Sequence, residues 1–444
     1  MKLFYALTIL IIFQSCSFDN KSGIWKNANE TSEKNDGVFK EFEKLSSSNE
    51  TFDKIVLIKK NFKFKLDNIT NNYVWNDIFY NSTNNFKNYK YNNSNQLLYK
   101  SKKLTKNQIN NYLLFDQNNI ILNDEKGNIL VFSINEKKII TKFNFYKKKY
   151  KKIKKDLNLI VDKGIIYVSD NIGFLYAYDY KKQKLVWAQN HKIPFRSNLK
   201  ISPDKLIAAN QNNNLIFFNK FNGEIIKMIP TEETSVKNEF KNNISLKDKN
   251  SFFLNTYGSL YSIDNKNMKI NWFVNLNRSL NLNPSNLFRG NQVILHKNFV
   301  LVNSNQSTYL IDVNTGSILF KKNFTSHIKP LVFNNYLFLI SKTNLLISID
   351  LKNGDIIYSY DIDKKIANFL KIKKRKVKFN QFKEIMMVNN KLFIFLKNSY
   401  ILKFDIYGNL ENIDKLPSKI KSQPIFIDSS LLYLDVKNKL SIID

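Results

Sequence analysis

The chain has 444 residues, 43% of them hydrophobic and 14% aromatic, with a formal net charge of +32. The 36 Phe and 22 Tyr supply a large core, and a single cysteine excludes a disulfide framework. Lys, Asn, Ile, Phe and Tyr are abundant while Gly, Ala, Pro and Arg are scarce, the bias of an AT-rich genome, so the charge reads first as a solvated basic surface.

At the N-terminus, Lys2 precedes the apolar run Leu3–Phe13, too short to span a bilayer comfortably. Residues 1–15 are read as a signal peptide, which argues against nucleic acid as a partner. Phe13-Gln14-Ser15-Cys16 resembles a bacterial lipobox, although Phe13 and Gln14 depart from the usual Leu-Ala/Ser pair. The resemblance implies that Cys16, the single cysteine, becomes the lipidated N-terminus. Ser17 at the next position implies delivery to the outer membrane. Residues 16–70 are rich in Ser, Asn, Lys and Glu, show no strand period and are expected to form a flexible tether.

Eight copies of one pattern follow, at a mean spacing of about 44 residues. Each is a small or amide residue, five mostly apolar residues and usually Asp or Asn. The clearest are 173–179 (GFLYAYD), 258–264 (GSLYSID), 306–312 (QSTYLID), 344–350 (NLLISID), 399–405 (SYILKFD) and 438–444 (NKLSIID). Residues 127–133 (GNILVFS) and 213–219 (NNLIFFN) complete the set. An apolar strand precedes each copy and a turn such as Asn222-Gly223, Thr315-Gly316 or Asn353-Gly354 often follows, supplying the positive φ of a tight hairpin. Four short antiparallel strands per unit make a propeller blade, and the missing helical period excludes helical solenoids. The expected fold is therefore all-β: an eight-bladed β-propeller of four-stranded antiparallel blades over residues 71–444.

The chain stops on the eighth copy, so the ring needs an outer strand from elsewhere. Residues 96–104, with Tyr99 near the position of Trp187 and Tyr358, are the first choice. Residues 72–80 are the second, and otherwise pack Trp75 across the ring seam. The basic runs 147–155 and 372–378 and the segment Ile193–Ser197 all join one repeat to the next, and should share one face of the disc.

The copies resemble the PQQ-type, quinoprotein-like propeller repeat, in which Ala/Ser-x-Asp leads to Gly and then Trp. Ala177 and Asp179 lead to Trp187 with Gln183 in place of Gly; Ser262 and Asp264 lead to Trp272 with Met268 in its place. Asp312 leads to Gly316 and Phe320, and Asp350 to Gly354 and Tyr358. The recurring Asp residues are read as caps of the following turn rather than acids for catalysis. His191, His296 and His327 lack metal-ligand spacing and are read as loop or surface residues. Dehydrogenases of this fold carry a vicinal Cys pair, a calcium site and a catalytic Asp. The Cys pair is absent here, so no cofactor and no enzymatic activity are expected.

A lipobox ahead of such a propeller resembles the BamB family, scaffold lipoproteins of the outer-membrane β-barrel assembly machinery. That resemblance implies a monomer held within a complex, anchored by its N-terminal lipid and docked on the POTRA domains of BamA. In the family a loop entering the third repeat, apolar-x-apolar-Arg-Gly/Ser, makes this contact. Ile193-Pro194-Phe195-Arg196-Ser197 stands there, with Phe195 as apolar and Arg196 as charged anchor. Glu232 and Glu233 occupy a second family contact region. An extracytoplasmic propeller serving another ligand or protein remains the competing reading.

Overall fold

The computed structural model describes residues 16–18, 25–27, 52–234, 241–277, 288, 290–377, 379 and 381–444. The expected signal peptide, residues 1–15, lies outside them. The chain divides into two compact units, residues 1–50 and 51–444. In the first, Cys16–Phe18 pairs antiparallel with Trp25–Asn27.

In the second unit the described residues form eight sheets, each built on antiparallel strands hydrogen-bonded from an inner to an outer one, in chain order except for the outer strand of the eighth. The inner strands of blades 1 to 8 are Leu114–Asp116, Leu157–Asp162, Lys200–Ser202, Asn243–Lys247, Ile294–His296, Leu331–Phe333, Phe382–Val388 and Ile425–Ile427. The repeated pattern becomes the third strand of every blade. Those strands are buried on both faces because neighbouring blades cover them, so their apolar residues run continuously instead of alternating. Outer strands meet solvent and alternate, as Lys269–Asn275 does.

The closing acids cap turns as expected. Asp179 Oδ1 accepts the Lys181 and Lys182 N–H groups at 3.0 and 2.9 Å, and Asp312 Oδ1 those of Asn314 and Thr315 at 2.9 Å. A bulge then interrupts the pairing of third and outer strands at the same place in every blade. It sets the aromatic of the outer strand onto the next blade's turn: Trp187 Nε1 donates to Lys220 O at 3.1 Å and Trp272 Nε1 to Val313 O at 3.2 Å. Only glycine leaves room beneath these rings; a Cβ on Gly316, whose φ is +74°, would lie 2.6 Å from Trp272.

The ring closes as the sequence implies. Leu97–Lys100 pairs antiparallel with Leu440–Ile443 as the outer strand of blade 8. Tyr99 takes the Trp187 position and reaches Lys137 O of blade 1 at 3.4 Å. The tether does not extend to residue 70. From residue 52 the chain lies along blades 5 and 6: Phe52 packs on Phe324, Val56 bridges Ser359, and Phe64 packs edge-on against Tyr336 at 4.7 Å.

Candidate partner-binding face and the filled axis

In an up-and-down blade, the links from outer to inner strand and the turns between second and third strands share one face. The runs 147–155 and 372–378 and the segment 193–197 are all such links, so they share this connector face. Between blades 2 and 3 the link is pinned on three sides. Phe195 N–H donates to Asp170 O and Arg196 N–H to Ala209 O, both at 2.9 Å, and Arg196 O accepts from Asn242 N–H at 2.7 Å. Asp170 is itself held, its Oδ1 accepting three N–H groups of Ile172–Phe174 at 2.8 Å.

Phe195 corrects the sequence reading. It is 2% exposed, packed among Leu199, Phe218 and His191, and offers no apolar area to a partner. Its part is to seat the loop. Arg196 is half-buried, and its Nε has no hydrogen-bond partner among the described residues. Nearby, Glu233 is exposed, and Glu232 accepts from Ser259 Oγ at 2.6 Å and Asn255 Nδ2 at 3.2 Å. His191 lies in a link and His327 is exposed, as read from the sequence, whereas His296 ends the inner strand of blade 5; burial lowers the pKa of His191 and His296. Among the described residues no three of His, Cys, Asp and Glu converge as metal ligands.

The axis holds what the sequence reading missed. Residues 70–92 run through it and touch the inner region of every blade. Trp75 exchanges two backbone hydrogen bonds with Phe115 of blade 1, and Asn76 O accepts from Val161 of blade 2. Ser82 O and Thr83 O accept from Leu246 and Leu295 of blades 4 and 5. Asn88–Tyr89 adds as a parallel strand to blade 7, and Asp428 of blade 8 donates to Asn72 O. Trp75 is thus an axial residue rather than one at the ring seam.

Two charged groups clamp this segment. Lys200 of blade 3 is fully buried. Its ammonium donates to Asp77 Oδ2 at 2.6 Å, Asn81 O at 2.8 Å and Asn84 Oδ1 at 2.6 Å, which uses all three N–H bonds. Lys329 of blade 6 lies over the Phe86 ring, 3.4 Å from its centre. Burial brings the Lys329 pKa down to about 7 and raises that of Glu384, on blade 7, to about 7. Phe79, Tyr112, Gln292, Lys329 and Glu384 help line a cleft of about 200 Å³ at the connector-face mouth of the axis.

The family model described as outer membrane protein assembly factor BamB matches residues 125–360. No curated protein sequence matches. The crystal structure of BamB from Moraxella catarrhalis is similar at 12% identity and a TM-score of 0.59, covering 79% of this chain and 99% of that one. The computationally designed Ika8 protein is similar at 11% identity and a TM-score of 0.58, covering 78% and 99%. Quinohemoprotein alcohol dehydrogenase from Comamonas testosteroni is similar at 10% identity and a TM-score of 0.59, covering 83% and 80%. At such identities these three likenesses speak to the fold alone.

Proposed function

The chain belongs to the family of outer membrane protein assembly factor BamB, and on that premise we propose that it is a non-enzymatic scaffold of outer-membrane β-barrel assembly. In this reading it is a lipoprotein anchored through Cys16 at the periplasmic face of the outer membrane. It docks its connector face on POTRA domains of a BamA-type partner and aids barrel insertion. The observation that carries the docking surface is the link 193–197, which holds the half-buried Arg196 on a backbone pinned by three hydrogen bonds. Such preorganisation spares the ordering cost of binding, and buried arginines are frequent interface hot spots.

A quinoprotein dehydrogenase reading does not fit the residues. The axis is occupied by Trp75, Phe86 and Tyr89 of the chain itself, which fill the place where a cofactor would lie; the clefts beside that segment measure about 200 and 440 Å³. The one cysteine, Cys16, lies outside the propeller.

The test is co-purification from detergent-solubilised membranes. Arg196→Ala should weaken recovery of the BamA-type partner at low and high salt alike, by roughly 5- to 30-fold in affinity for an anchor worth about 1–2 kcal/mol. Recovery at the parent level by a folded variant removes this loop from the docking site. Cys16→Ser should abolish lipid labelling and release the chain to the soluble fraction or leave it as an uncleaved precursor; unchanged labelling refutes the anchor.

A further inference from the structure

The connector face is charged very unevenly. Round the ring from blade 6 to blade 2, the described residues of four successive links (362–381, 416–424, 101–113 and 145–156) include nineteen basic residues against two acids. The described residues of the other four links (191–199, 230–242, 276–293 and 323–330) include four against two. A codon bias towards lysine would load both halves alike, so composition does not account for this arc.

Apolar side chains stand exposed within the arc, near its two ends. Ile153, flanked by lysines, is 44% exposed. At the other end the helix Ile362–Leu370 is fixed by its caps. Asp361 accepts from Lys364 N–H at 2.9 Å, and Lys371, at φ +54°, turns the chain back with its N–H on Asn368 O. The helix buries Ile362, Ile366 and Ala367 against the propeller, which leaves Phe369 and Leu370 43% and 40% exposed, with Ile372 at 37% just beyond.

We infer that this arc is a peripheral membrane-contact edge that takes the surface of an anionic phospholipid bilayer. Protein interfaces have an apolar centre and are depleted in lysine. Here separate apolar tips stand in a lysine field, the arrangement that suits phosphodiester headgroups with shallow insertion between them. Lysine, a hydrated point charge on a flexible stem, gathers such headgroups without fixed geometry. The arc ends at blade 2, next to the link that carries Arg196, and spreads from there over blades 1, 8, 7 and 6.

The experiment uses the full chain with Cys16→Ser, which removes the native thiol, and an environment-sensitive fluorophore on one introduced cysteine. Leu370→Cys and Ile153→Cys probe the arc. Phe221→Cys, exposed on the opposite face, is the control. With vesicles of phosphatidylcholine plus phosphatidylglycerol the labels at 370 and 153 should shift to the blue, and with phosphatidylcholine alone they should not; the label at 221 should stay unchanged in both. Changing lysines in 147–152 to glutamine should weaken binding at low salt by about fivefold per charge. Phe369→Ser with Leu370→Ser should weaken it with no change in charge, read through the label at 153. No shift at 370, an equal shift at 221, or parental binding by the double serine variant, which would mark a mere polyanion site or a protein partner, overturns the inference.

Discussion

The left-handed position in the turn before each outer strand shows how one residue couples two blades. Gly316 fills it beneath Trp272, and Gln183 and Met268 fill it elsewhere at φ +52°. Gly316→Ala should cost about 2–4 kcal/mol through the backbone region and the ring above. Gln183→Gly should stay within about 1 kcal/mol of the parent, because relief of the backbone offsets the entropy of a new glycine. Chemical denaturation of the two variants checks the contrast. Lys200 obeys a different rule. Lys200→Met strands the Asp77 carboxylate and should cost about 3–5 kcal/mol, part of which Asp77→Asn in the same chain restores. Equal losses in the single and double variants would mean that the pair is not coupled.

At the scale of elements, the strands were legible in the sequence because each carries its own burial. Five apolar residues closed by Asp are a strand covered on both sides and a capped turn, whatever else the chain does. The closing strand was legible too, since Tyr99 repeats the spacing of Trp187. The axial segment was not, because its partners are eight inner strands spread over the whole chain. Trp75, Tyr80, Phe86 and Tyr89 announce burial but no period, and period is what assigns a fold from sequence. Phe195 misled for a related reason: an apolar residue just ahead of an inner strand is more readily core than anchor. Lys100→Cys with Ser441→Cys, facing residues of the closing pair, should form a disulfide in the Cys16→Ser background and raise the melting temperature. Free thiols under oxidation would contradict this closure.

For the whole molecule, the charged groups at the mouth of the axis link stability to pH. Glu384 has a folded pKa of about 7, above its ordinary 4.5, so its contribution is fully present below 4.5 and is lost as pH rises to about 7. Lys329 is depressed to about 7 and acts oppositely above that, its ammonium being disfavoured in the fold until pH rises towards 10.5. The two together place a dip in stability near neutrality. Glu384→Gln should remove the acid limb and stabilise the propeller above pH 7 by about 2–3 kcal/mol, seen as a flatter dependence of melting temperature on pH. An unchanged acid limb would assign it to other groups.

In the proposed function the connector face beside Arg196 receives the periplasmic domain of a barrel-assembly partner. The most direct measurement is site-specific photocrosslinking in intact cells, with the crosslinker at exposed Lys192 and, as control, at exposed Phe221 on the opposite face. Position 192 should give an adduct with the BamA-type barrel protein and position 221 none. No such adduct from 192, or equal adducts from both positions, would contradict it.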